Sequence, residues 1–178
     1  LTGGELADRI SQYIQAFEAL GAGTGAAVGL LSLNRPEVLM IIGAGQTQGF
    51  RRTALHPLGS LDDHAYVLSD AGVTSLIIDP NPMFTERALG LLEKVPSLKQ
   101  VLTIGPVPSE LADVGTDLSA EAAKYAPQPL VAADLPADHI GGLTYTGGTT
   151  GKPKGVIGTT QSITTMTTVQ LAEWEWPE

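Results

Sequence analysis

Cysteine is absent from this chain of 178 residues, histidine occurs three times, and lysine and arginine together only ten times. Without cysteine neither a disulfide framework nor a thiolate metal site can form, and the redox compartment is left open. The histidines, His56, His64 and His139, are scattered and make no zinc spacing, so each reads as a surface or hydrogen-bonded structural residue. Nineteen acidic side chains give a formal net charge of −9, which argues against nonspecific binding to nucleic acid or anionic membranes. Long apolar runs are missing too. The best candidate, Val38 to Ala44, is interrupted by Gly43 and falls well short of the roughly 18 residues that a membrane span needs. A cytoplasmic protein with no transmembrane segment and no nucleic-acid partner is expected. Leu1 is not a natural start and no basic-then-apolar leader opens the sequence, so a piece of a longer chain, incomplete at both ends, is expected as well.

What the chain does have is 43% hydrophobic residues, enough to bury one domain's core. Thr2-Gly3-Gly4-Glu5 has capping-box spacing, and Leu6, Ile10, Tyr13, Ile14, Phe17 and Leu20 follow on one helical face until Gly21. Ala26 to Leu33 is apolar on both faces, as in a strand covered by helices on each side, and Asn34 with Pro36 restarts a helix to about Ala44. Arg52 to Leu55 reads as a short strand, with Arg51-Arg52 as edge protection. Ser60-Leu61-Asp62-Asp63 opens a helix closed by Gly72 and supplies its first-turn acids. Thr74 to Ile78 is a strand, Asp79 to Pro82 a turn, Glu86 to Lys94 a helix, and Val101 to Ile104 a strand. Gly105 to Pro136 reads as a surface excursion with one short helix at Ser119 to Tyr125. Strands alternating with helices predict an α/β layered domain with right-handed parallel crossovers.

The densest signal is Thr146-Gly147-Gly148-Thr149-Thr150-Gly151-Lys152-Pro153-Lys154-Gly155. Glycines let the backbone approach a ligand, hydroxyls and N–H groups donate hydrogen bonds, and lysine balances phosphate charge. A Walker A loop is excluded by spacing: with Gly151-Lys152 aligned on its Gly-Lys, Thr146 replaces the first glycine and Pro153 the magnesium-binding hydroxyl. The segments on either side, Ile140 to Tyr145 and Gly155 to Thr159, both read as strands, so a phosphate-binding hairpin is expected instead. Its candidate ligands are Thr146, Gly147, Gly148, Thr149, Thr150, Gly151 and Lys154, with Lys154 as the catalytic cation and no metal ligand. Lys152 is expected to be exposed.

Tyr145 through Val156 resembles the phosphate loop of the AMP-forming adenylating superfamily of acyl-CoA synthetases, adenylation domains and luciferases. Upstream, Leu1 to Leu6 resembles that family's first helix, Leu30 to Pro36 its Leu-Leu-Ser-X-Asn-X-Pro segment, and Leu55 to Leu68 its Pro-rich strand end and next helix. The resemblance implies that residues 1–178 are part of the large N-terminal domain of a ligase whose C-terminal domain lies elsewhere. It implies a parent enzyme, most like a fatty-acyl-CoA ligase, that joins a carboxylic acid to ATP with Mg²⁺, releases pyrophosphate and passes the acyl group to coenzyme A. The residues shown here would be inactive alone. Transfer to a carrier protein, and a nucleotide-binding or interaction module without catalysis, are the alternatives. Two departures stand out. Gly147 replaces the family's usual serine and removes one hydroxyl, and Thr160 replaces a histidine, leaving helix capping at Thr159 or Thr160 as the local role. Because a carboxylate is already anionic, no general base is demanded, in keeping with the lack of a His-Asp or paired-carboxylate motif. Trp174 and Trp176 are read as packing against further chain rather than lining an acyl pocket, and Thr164, Thr165, Thr167 and Thr168 have no functional reading.

Overall fold

The computed structural model describes residues 1–148 and 151–174. In chain order these form α1 (Gly3–Ala19), β1 (Ala27–Leu31), α2 (Pro36–Gln48), β2 (Arg51–Ala54), α3 (Leu61–Asp70), β3 (Ser75–Ile78), α4 (Pro82–Lys94) and β4 (Gln100–Thr103). A 3-10 turn at Ser109–Leu111 leads to β5 (Gly115–Asp117), α5 (Leu118–Ala122), β6 (Ile140–Gly148), β7 (Gly151–Thr159) and α6 (Thr160–Glu173). The strands make one sheet in the order β5-β4-β3-β1-β2-β6-β7. Every neighbouring pair is parallel except β6 and β7.

The sheet carries a separate apolar core on each face. Phe17, Ile41 and Phe50 pack with residues of α1, α2 and α5 on one side, the Phe17 and Phe50 rings tilted at a centroid distance of 4.7 Å. Leu68, Phe84 and Leu91 belong to the core under α3 and α4 on the other. All five residues of β1 and all four of β3 are buried, which is why these strands read as unbroken apolar runs rather than alternating ones. The α/β layered architecture is as expected.

Several local readings hold for the expected reasons. Thr2 and Glu5 close a reciprocal capping box on α1, and Ser60 Oγ accepts from the Asp63 N–H at the start of α3. Thr159 caps α6, with Ser162 returning the bond to the Thr159 N–H.

Others need correction. The helix expected from Glu86 begins at Pro82, because Asn81 Oδ1 accepts from the Phe84 N–H at 3.0 Å and proline suits the first helical turn. The helix after β1 starts from Arg35, whose side chain makes no cap, and runs to Gln48, ending where Gly49 turns to φ +88°. Arg51 and Arg52 do not protect an edge, since β2 lies between β1 and β6. Burial of Arg52 depresses its pKa. The segment from Gly105 to Pro136 is no simple excursion. Gly115–Asp117 adds a strand beside β4, Leu111 and Leu118 are fully buried, and the tail is strapped down by Gln12 Nε2 to the Tyr125 carbonyl at 2.7 Å and Ala133 N–H to the Thr47 carbonyl at 2.8 Å. A three-residue strand with no apolar alternation leaves little trace in sequence.

Candidate functional site: a glycine-rich hairpin at the sheet edge

Strand β6 joins the sheet beside β2, with Arg52 opposite Gly142 and Thr53 opposite Leu143. β2 stops at Ala54 while β6 continues to Gly148, so the hairpin extends past the carboxyl end of its parallel neighbour. Ligands of open α/β sheets bind at that end of the strands. Tyr145 pairs with Gly155, Thr146 with Lys154, and Gly148 with Gly151. Between the last two pairs β7 holds one residue more than β6, so Lys152 and Pro153 together oppose Gly147 in a bulge. Proline is tolerated there because a bulge does not call on its missing N–H.

The hairpin is therefore more regular than a loop joining two strands that end at Tyr145 and start at Gly155. Ladder pairing runs through Thr146, Gly148, Gly151 and Lys154, and Gly147 lies opposite the bulge. Thr149 and Thr150 lie outside the described residues, as does Trp176.

Side-chain direction alternates along a strand, so Tyr145 and Thr146 point to opposite faces. The Tyr145 hydroxyl donates to Asp70 Oδ2 on α3 at 2.6 Å, and its ring covers Gly155, where an added Cβ would come within 3.1 Å. Burial, then the hydrogen bond to Asp70, raises the Tyr145 pKa. Thr146 and Lys154, as cross-strand partners, share the other face, and both are exposed. Lys152 is exposed as expected, yet its Nζ lies 4.9 Å from the centre of the Tyr66 ring on α3. The bulge thus separates the two lysines. Trp174 is exposed.

A cleft of about 440 Å³ separates the hairpin from the turn between β2 and α3, lined by His56, Gly59, His64, Tyr145, Gly147 and Pro153. His64 is buried and fixed at both nitrogens: Nε2 lies 2.9 Å from the His56 carbonyl and Nδ1 lies 3.0 Å from the Arg87 guanidinium. Since arginine can only donate, Nδ1 accepts and Nε2 carries the proton, which makes the ring neutral. Burial lowers its pKa. His139 likewise meets the Gly49 carbonyl at 3.0 Å, and His56 Nδ1 accepts from the Leu58 N–H. A second cleft, of about 250 Å³, lies between α2 and α6 and is lined by Gly45, Leu135, Ile163, Thr164 and Thr167. It touches β6 only at Gly141, away from the glycine-rich end of the hairpin, and it gives Thr160, Thr164, Thr167 and Thr168 of α6 a setting, though no role.

Among the described residues no group of three or more His, Asp or Glu side chains could hold a metal ion. No described helix is long and apolar enough to cross a membrane. Asp70, Tyr66 and the His64–Arg87 pair escaped the sequence reading. Their roles depend on contacts across 75, 86 and 23 positions, which no local pattern encodes.

Residues 1–177, hairpin included, match the family of AMP-binding enzymes. The chain belongs to that family. This AMP-binding chain is 83% identical over 177 residues to the medium/long-chain-fatty-acid–CoA ligase FadD8 of Mycobacterium tuberculosis, a match covering 99% of this chain and 31% of that one. It is 26% identical over 146 residues to the peroxisomal long chain acyl-CoA synthetase 7 of Arabidopsis thaliana, covering 77% of this chain and 20% of the other. Among solved structures, apo MatB from Rhodopseudomonas palustris superposes with a TM-score of 0.78 at 22% identity, over 99% of this chain and 33% of MatB. The amide bond synthetase McbA from Marinactinospora thermotolerans gives 0.77 at 26% identity, over 96% and 32%. The AMP-binding chain thus spans about a third or less of the length of these relatives.

Proposed function

We propose that residues 1–178 are part of the large N-terminal domain of a fatty-acyl-CoA ligase, and that the β6–β7 hairpin holds the β- and γ-phosphates of ATP. The observation that carries this reading is the hairpin itself: glycines and paired Thr146 and Lys154 stand beyond the carboxyl end of β2 in an AMP-binding family chain. The 83% identical relative, named a fatty-acid–CoA ligase, supports a fatty acid as the substrate and coenzyme A as the acceptor.

In the proposed reaction a carboxylate oxygen attacks the α-phosphorus of ATP. The bond from that phosphorus to the bridging oxygen breaks, pyrophosphate leaves, and acyl-AMP remains. Negative charge grows on the departing phosphates, so donors fixed before the reaction are worth most there. Thr146 would donate its hydroxyl, Gly147, Gly148 and Gly151 their N–H groups, and Lys154 its ammonium, with Thr149 and Thr150 assigned the same work. Coenzyme A thiolate then attacks the acyl carbonyl and AMP leaves. The proposed first step uses no general base.

More chain of the same domain is proposed to pack on β7 and α6. Val156 and Ile157 are more than half exposed, and α6 buries none of its residues while exposing Met166, Val169 and Leu171. Such a run of apolar side chains marks a surface that something else covers. The test is ATP–pyrophosphate exchange by the full-length protein over fatty, aryl and amino acids. Exchange is expected with fatty acids; exchange with none of the panel would sink the ligase reading.

A further inference from the structure

Tyr66 and Asp70 are four residues apart on α3, so they share one helical face. Each meets a different strand of the hairpin. Asp70 accepts the Tyr145 hydroxyl from β6 at 2.6 Å, just before the candidate ligand Thr146, and the Tyr66 ring lies 4.9 Å from Lys152 Nζ on β7, two residues before Lys154. The contacts therefore hold both strands where they enter the tip. The bulge at Lys152-Pro153 makes this division possible, turning Lys152 toward α3 while Lys154 stays across from Thr146.

Asp70 is also misplaced by helix rules. It is the last residue of α3, where the backbone carbonyls present partial negative charge, and no basic residue accompanies it in that turn. A carboxylate there is locally unfavourable. Its bond to Tyr145 gives it a reason to be there that the helix does not.

We propose that α3 is the platform that positions the phosphate hairpin, with Asp70 and Tyr66 as positioning residues for ATP. This rests on the nucleotide reading above, but the anchoring can be read without nucleotide. In the full-length protein, Asp70→Ala and Tyr145→Phe are each expected to raise the KM for ATP about 5- to 10-fold, the net value of one partly exposed hydrogen bond. KM for the fatty acid and kcat should stay within about 2-fold, and the double variant should be no worse than either single one. Tyr66→Leu is expected to raise the KM for ATP about 3-fold, while Tyr66→Phe, which keeps the ring, restores the wild-type value.

Hydrogen exchange of the backbone amides of residues 144–148, 151, 152 and 154–156, measured without ATP, should quicken in Asp70→Ala. Because the helix gains from losing that carboxylate, part of the lost bond is offset and the unfolding midpoint should move little. Unchanged amide exchange, additive effects in the double variant, or equal changes in KM for both substrates would overturn the proposal. Faster exchange in a protein that never uses ATP would instead uphold the anchoring and remove only the nucleotide reading.

Discussion

Thr146 and Lys154 face each other across β6 and β7, on the side of the hairpin away from Tyr145 and one pair short of the bulge opposite Gly147. That pairing puts a hydroxyl and an ammonium next to each other at the exposed end of a ladder that a sheet holds in place. A short flexible loop could offer the same groups only after losing the entropy of ordering them.

Lys154→Ala in the full-length protein is expected to slow ATP-dependent adenylation about 10- to 100-fold, the loss of one charge-assisted contact at a site of developing charge. Thr146→Ala, which removes a neutral donor, should cost less, about 5-fold. Single-turnover formation of acyl-AMP measures both, and equal rates in wild type and Lys154→Ala would leave the hairpin a structural turn.

Gly147 lacks the hydroxyl that the resemblance leads one to expect, and the structure has room for it. A Cβ at that position meets nothing within 4 Å, and the residue is not among the glycines with positive φ. Gly147→Ser is therefore expected to fold normally and to lower the KM for ATP about 2- to 5-fold, one added neutral donor. A raised KM would mean that the glycine is needed for close approach of the ligand.

The core on the α1 and α2 face depends on the Phe17–Phe50 contact, both rings being wholly buried. Phe50→Ala should cost about 3–5 kcal/mol of unfolding free energy through lost burial and a residual cavity. Urea unfolding with an unchanged m-value checks this, and a loss below about 1 kcal/mol would show that the site collapses around the change.

His64 links stability to pH. Burial holds its pKa below the ordinary 6.5, so the unfolded chain takes up a proton more readily than the folded one. The stability from the neutral ring is present in full above about pH 6.5 and is lost as pH falls through the lower folded value. Arg87, Asp63 and the His56 carbonyl face the ring, and the cation disfavours a second positive charge. Wild-type protein should lose urea resistance between about pH 7.5 and about pH 5 more steeply than His64→Gln, which cannot titrate. Parallel pH curves for the two would contradict the neutral, buried assignment.

Much of this was legible in the sequence because it depends on near neighbours. Thr2 with Glu5 and Ser60 with Asp63 cap helices through bonds three residues apart, and β1 and β3 announce their double burial as continuous apolar runs. The hairpin was legible as composition: glycine, threonine and lysine between two apolar segments. Its ladder was not, because register across a bulge depends on which residues fail to pair, and Lys152 and Lys154 look equivalent until Gly147 is seen opposite Lys152 and Pro153. Arg52 looked like an edge residue because nothing nearby shows that β6, some ninety residues on, closes that side. Asp70 carries no local signal for the same reason, since its partner Tyr145 lies 75 positions on.

The most direct test is a single turnover of the full-length protein with fatty acid and ATP labelled in the α-phosphate, before coenzyme A is added. The label is predicted to move into acyl-AMP with one equivalent of pyrophosphate, and then into AMP when coenzyme A arrives. Label recovered as ADP, or ATP left intact beside the fatty acid, would contradict the assignment of the hairpin to an AMP-forming ligase.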